Sequence, residues 1–289
     1  MKLAAVFWQQ MPIAVHAVVT GFVVLFCGAL GWSAITFGSL QLAEASVPSV
    51  AGPLALLTSS CFLWGYWRYL AGAWLPRSTA ELRRRRLRAR SLSGSVWSWA
   101  VITGVLATVS FVGLVEVWGR FVRLQPWSAS TISRYSFFTA LCILIGGAAE
   151  AGIVEEAAFR GYMQEHLEER FKPATAILVT SVLFGLVHLA NGHREIAWLL
   201  PYTVFGVILG VLAYTTKSIL PGVLLHAAVD SVRFWMVWRT APASPRHLIW
   251  QAVPDAAFYW NLALAGVFGA ATIMAQRRLI AVCLQSQQT

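Results

Sequence analysis

Between Lys2 and Glu44 the chain carries no Asp, Glu, Lys or Arg. A backbone that long, apolar and uncharged has few options. About 20 such residues in a helix cross the roughly 30 Å hydrocarbon layer of a bilayer. In lipid, helices and closed barrels alone satisfy their own backbone polar groups. The pattern then repeats along the chain, and helical spans are predicted near residues 13–36, 49–73, 95–118, 134–154, 174–191, 196–215, 218–238 and 256–276. The fold class is therefore all-α, a polytopic membrane helix bundle of about eight transmembrane helices. The overall balance agrees: 58% of residues are hydrophobic and 12% charged, where soluble domains carry about 25% charged residues.

The net charge of +10 is concentrated rather than spread. Arg77, Arg83, Arg84, Arg85, Arg86, Arg88 and Arg90 crowd one loop between the second and third spans. A basic cluster beside a membrane helix sets topology and contacts anionic lipid on the cytoplasmic side. Nucleic acid is excluded as a partner because no soluble domain presents the patch. With that loop inside, both termini are cytoplasmic, and Lys2, Arg170, Lys172, Lys217, Arg277 and Arg278 fall on the same side, while Arg120, Arg123, Arg239 and Arg246 fall outside. Trp74, Trp97, Trp118, Trp127, Trp198, Trp238 and Trp260 lie near span ends, where amphipathic rings suit the interface. Arginine far outnumbers lysine, a codon bias that fits a GC-rich bacterium and hence an inner-membrane location. The first apolar run is too long for a cleaved signal peptide.

The basic loop at 77–90 is the one seam. It divides a two-helix N-terminal leader, 1–76, from a six-helix core, 91–289. Cys27, Cys61, Cys142 and Cys283 sit in or beside spans with no CxxC pair, and read as small buried apolar residues rather than disulfides or metal ligands.

Ionisable side chains inside membrane helices are costly and mark function. Three clusters stand out, all in the core. Glu155, Glu156 and Arg160 lie near the inner end of the fourth span; Glu156 and Arg160 are four apart and share a helical face. Glu155 is turned about 100° away and is available for other chemistry. Phe184 and His188 are four apart in the fifth span, and His226 and Asp230 are four apart in the seventh. Each cluster alone has an ordinary structural explanation, as an interfacial pair, a hydrogen-bonded histidine or a helix-packing pair. Three together, on helices that a bundle can bring inward, fit water activation: a glutamate as general base, one histidine orienting the water or sharing a metal ion, another stabilising an oxyanion. No GxSxG or HExxH is present.

These residues resemble the CPBP intramembrane proteases, the group containing the type II CAAX prenyl endopeptidases and the Abi bacteriocin-immunity proteins. EEAAFR (155–160) is similar to that family's EExxxR motif, FGLVH (184–188) to FxxxH, and HAAVD (226–230) to HxxxN or its Asp variant. The resemblance covers roughly residues 135–240. It implies that Glu155 activates water, that Glu156 and Arg160 support it, that His188 holds the water with Glu155, and that His226 contributes to an oxyanion hole with residue 230. Asp230 departs from the Asn form, because an ionised carboxylate accepts hydrogen bonds and donates none. It is then protonated, binds a metal, or orients His226. The family's chemistry has been described both as glutamate-type and as metal-dependent; no cofactor is required by the residues themselves, and for zinc the three donors are Glu155, His188 and His226. The implied activity is hydrolysis of a peptide bond in a membrane-associated protein or lipidated peptide, with the bilayer as the surrounding partner. A non-catalytic immunity or scaffold protein of the same fold and a proton-coupled transporter are the alternatives.

Lesser expectations complete the reading. Glu165, His166, Glu168, Glu169 and Arg170 form a solvated continuation of the helix. His16 pairs with another helix. His193 is exposed in an outer loop, and His247 has no assigned role. Gly206 and Gly210 allow close helix approach, and Pro221 with Gly222 breaks the start of the seventh span.

Overall fold

The computed structural model describes residues 12–124, 132, 134–190, 196–239 and 247–286. Lys2, Trp127 and His193 lie outside the described residues, as does the side chain of Trp238. The described chain is helical. The main elements are α1 (Ile13–Ser46), α2 (Ala51–Leu70), α3 (Ala80–Leu87), α4 (Gly94–Trp118), α5 (Phe137–Glu150), α6 (Gln164–Glu168), α7 (Pro173–Ala190), α8 (Leu199–Thr216), α9 (Leu220–Arg239) and α10 (Ala256–Gln285). Two π-helical stretches, Ala151–Glu155 and Ala157–Met163, join α5 to α6.

Every span expected from the sequence falls on a helix. Among the described residues, five runs are long and apolar enough to cross a membrane: Ile13–Ser46, Gly94–Trp118, Phe137–Glu168, Ile196–Thr216 and Ala256–Gln285. The helix from Pro173 is apolar but shorter. α2 is diluted by Thr58, Ser59, Ser60 and Arg68, and α9 by His226, Asp230 and Arg233. Large apolar side chains face outward, among them Phe26, Leu30, Leu42, Trp260 and Val267, each more than half exposed. Water would penalise such faces and lipid does not. The protein is an integral membrane protein.

The helices form two compact units, residues 1–89 with 135–176 and residues 90–134 with 177–289. In the first, α1 packs on α2, on α5 and on the π-helical stretches. Small residues permit the approach. A side chain on Gly28 would meet Val154, one on Gly31 would meet Phe62, and one on Gly52 would meet the backbone of Thr139. Leu40, Ala43, Ala51, Ala55 and Ile143 make one core cluster. The Tyr66 hydroxyl donates to the Val24 carbonyl at 2.5 Å.

Gly72, in the turn after α2, has φ +72°, and a Cβ there would collide with the Ala80 carbonyl oxygen. The left-handed conformation alone costs a residue with a side chain about 1–2 kcal/mol. Gly72→Ala is therefore expected to destabilise the first unit by at least about 2 kcal/mol, read as a lowered melting temperature in detergent.

In the second unit α4 and α10 cross closely. A Cβ on Gly113 would stand 2.6 Å from the Asn261 carbonyl oxygen, and Ser110 Oγ donates to the Ala265 carbonyl at 2.9 Å. Gly206 of α8 faces Ser181 of α7 in the close contact expected of it, and Gly185 faces Leu199 and Thr203. α10 is capped by Asp255, which accepts from the Phe258 amide at 2.9 Å and from Arg120 Nη1 at 2.9 Å. Those two donors hold its carboxyl below the usual aspartate range. Glu116, Arg120, His247, Asp255 and Asn261 line a cavity of about 500 Å³ that contains no residue of the three motifs.

Three expectations need correction. Pro221 does not break the seventh span: it occupies the first turn of α9, where its missing N–H costs nothing, and the helix runs on unbroken. Cys27 and Cys61 are exposed, although Cys142 and Cys283 are buried; a thiol facing lipid behaves as a small apolar group. The 77–90 stretch is not simply a loop, since it contains the 3₁₀ turn Arg77–Thr79 and the two turns of α3. AELRRRRL consists almost entirely of strong helix formers, with Glu81 in the first turn and arginines in the last to suit the helix dipole.

Candidate active site

The motif residues are distributed between the units, with Glu155, Glu156 and Arg160 in the first and His188, His226 and Asp230 in the second.

In the first unit the carboxylates sit where the α-helix widens. Glu155 ends the first π-helical stretch, and Glu156 separates it from the second. Such wide turns recur at functional sites. Arg160 Nη1 donates to Glu156 Oε1 at 2.8 Å, and the two side chains are 1% and 0% exposed. The i,i+4 pairing expected of them is present. Ala157, Ala158 and Phe159 around the pair are fully buried. Glu155, one residue earlier, is half-buried.

Of the residues after the motif, Arg170 is exposed as expected, but Glu165, His166, Glu168 and Glu169 are not simply solvated. Arg86 donates to Glu165 Oε2 at 2.5 Å and to Glu169 Oε2 at 3.0 Å. Arg85 donates to Glu169 Oε1 at 2.6 Å and to Glu165 Oε1 at 3.3 Å. Arg88 pairs with both oxygens of Glu168. The basic stretch thus clasps the helix that continues from the EExxxR motif. Gly161 makes the fit possible, because the Arg86 and Leu87 carbonyls pass 3.1 Å from where its Cβ would be. Arg83, buried on α3, donates to the Tyr69, Trp74 and Pro76 carbonyls instead of facing lipid. His16 does find another helix: its ring meets His166 edge-on at 5.0 Å.

Partial burial raises the pKa of Glu169, but the Arg86 hydrogen bond and charge overcome it and leave the value below the usual 4.5. A depressed carboxyl pKa stabilises the fold above the unfolded value and loses that stabilisation as pH falls through the folded one. Arg86→Gln is expected to cost about 1–2 kcal/mol at pH 7, between an exposed pair and a buried one. The deficit relative to wild type should shrink in melts taken below about pH 4.

In the second unit the two histidines share an aromatic frame. His188 Nδ1 lies 2.9 Å from the Phe184 carbonyl oxygen. A carbonyl can only accept, so Nδ1 carries the proton and Nε2 is the acceptor of the neutral ring. The His188 ring packs between Phe184, at 4.4 Å, and Tyr202, stacked at 4.1 Å. Phe184 also meets His226 at 5.9 Å, and Phe205 meets His226 edge-on at 5.3 Å. The Phe of the FxxxH motif thus touches both histidines. His226 is 2% exposed, and its Nε2 lies 3.8 Å from Asp230 Oδ2. Tyr202, Phe205 and Arg233 are additions that the sequence reading missed. The three-residue spacing of Arg233 from Asp230 was the one available signal for it.

Among the described residues no group of three or more His, Cys, Asp or Glu side chains is placed to hold a metal ion. The zinc arrangement of Glu155, His188 and His226 gains no support from this.

A family model described as Type II CAAX prenyl endopeptidase Rce1-like matches residues 135–232, the segment that contains all three motifs. No curated protein and no solved structure matches the chain.

Proposed function

We propose, from a chain whose residues 135–232 belong to the type II CAAX prenyl endopeptidase Rce1-like family, that it hydrolyses a peptide bond of a membrane-associated protein or lipidated peptide with a water activated by Glu155. The observation that carries the reading is the buried Glu156–Arg160 ion pair beside half-buried Glu155. One carboxylate is neutralised by a guanidinium inside the protein, and the adjacent one has a different environment. Two carboxylates in unlike surroundings are what divided acid–base roles require.

In this mechanism Glu155 takes a proton from water as its oxygen attacks the scissile carbonyl carbon. By the resemblance of the motifs, and not by any measured distance to Glu155, His188 supplies an acceptor nitrogen for that water. The carbonyl oxygen becomes an oxyanion that accepts a hydrogen bond from His226. The C–N bond then breaks, and the departing amine takes the proton held by Glu155. Glu156 and Arg160 keep the helix turn that presents Glu155. Localisation in a bacterial inner membrane with both termini cytoplasmic completes the proposal, supported by the concentration of arginines at 77–90.

The test compares the N-termini of membrane proteins in cells making equal amounts of wild type or Glu155→Ala. New termini confined to wild type are the expected result and identify the substrate. Identical termini in both would turn the reading to a non-catalytic member of the same fold.

A further inference from the structure

We propose that Arg233 and Tyr202 are positioning residues for the two motif histidines, and that Asp230 acts by orienting His226 rather than by standing in for an oxyanion-donating asparagine. The geometry lies wholly within the second unit. Arg233 Nε is 3.2 Å from Asp230 Oδ1, and its Nη1 donates to the Tyr202 hydroxyl at 3.2 Å. The other Asp230 oxygen, Oδ2, faces His226 Nε2 at 3.8 Å. Tyr202 stacks on His188 at 4.1 Å with its ring plane tilted by 26°. One guanidinium therefore ties the neighbour of His226 to the neighbour of His188.

The chemistry favours this over a chance surface contact. An arginine within a membrane helix costs at least a few kcal/mol unless it is paired, and here it is paired in two directions by a rigid fork of donors. A carboxylate engaged with a guanidinium is an acceptor. It cannot donate to an oxyanion, but it can attract an N–H at Nε2 of His226, and donation to the oxyanion then falls to the Nδ1–H of a ring protonated on both nitrogens. At 3.8 Å that attraction is electrostatic and longer than a hydrogen bond. The ring is held besides by Phe184 and Phe205, so the charge selects among few orientations.

The consequences for cleavage rest on the protease reading; the coupling of Arg233 to Asp230 does not. In the purified protein, Arg233→Gln is expected to lower kcat about 10- to 100-fold, as small misplacements of catalytic groups do, with KM changing less than about 3-fold. In an Asp230→Asn background the same substitution should cost several-fold less than in wild type, because only the arm through Tyr202 is then left to lose. Arg233→Lys should recover only part of the loss, since the charge returns without the fork that reaches both Asp230 and Tyr202. Equal losses from Arg233→Gln in the wild-type and Asp230→Asn backgrounds would overturn the proposal.

Thermal melts in detergent of wild type, Arg233→Gln, Asp230→Asn and the double variant give a readout independent of turnover. The double variant should melt no lower than the less stable single variant, whereas additive decreases would overturn the coupling. If wild type and Glu155→Gln show no difference in cleavage, the protease reading falls, and the melts still decide whether Arg233 acts through Asp230.

Discussion

Glu155→Gln is expected to lower peptide cleavage by about 10²- to 10⁴-fold, the contribution of a positioned general base. The substitution keeps the shape of the side chain and replaces one oxygen with an amide nitrogen that takes no proton from water at neutral pH. Because Glu155 is half-buried, the protein should tolerate the change, with stability altered by less than about 1 kcal/mol. Cleavage rate and melting temperature measured on one preparation check both parts. A protein that loses activity because it unfolds would not support the role of a base, and neither would a stable variant that cleaves normally.

Arg160→Met is expected to have the opposite signature. Arg160 is 1% exposed and its partner Glu156 is 0% exposed. Removing the guanidinium leaves a carboxylate buried without its cation, which costs about 3–5 kcal/mol. Glu156 then becomes the liability, so replacing it as well should restore stability. The double variant Glu156→Leu with Arg160→Met is expected to regain most of the loss, because an apolar pair of similar volume is often as stable as a buried ion pair. It should not regain cleavage, since the turn that presents Glu155 would no longer be held by the pair. Melting curves of the two proteins, followed by a cleavage assay on the restored one, separate holding the fold from serving the reaction. Two neighbouring glutamates would then be distinguished by role, one serving turnover directly and the other forming the ion pair that holds the turn.

Much of this was legible in the chain before its structure. Helix positions followed from charge-free runs, because the bilayer sets a length and composition that few other folds meet. The Glu156–Arg160 pair followed from four-residue spacing, as did the presence of His226 and Asp230 on one face. What stayed hidden has one physical character: it depends on residues far apart in sequence or on local pitch. The arginines of 85–88 and the glutamates of 165–169 are about 80 residues apart, and no local period links them. Read alone, the arginines resemble a topology signal and the glutamates a wetted helix end. Tyr202 reaches His188 only when α7 and α8 pack through Gly185 and Gly206. The widened turns from Ala151 to Met163 left no signature either. Ala151, Gly152, Ala157, Ala158 and Gly161 announce a close approach of neighbours, but small residues suit an i→i+4 ladder as well as an i→i+5 one.

Those widened turns also act as a phase adjuster. In an α-helix each residue advances the azimuth by about 100°. A stretch bonded i→i+5 takes more residues to complete a turn, so everything after it is rotated relative to a regular continuation of α5. Glu165, Glu168 and Glu169 meet their arginines at the azimuth that results. The chain from Phe137 to Glu168 therefore works like a shaft with a coupling in the middle. Its first half is indexed chiefly to α2, its second half to α1 and to the basic stretch around α3, and the slack that lets both be indexed at once lies at the two glutamates.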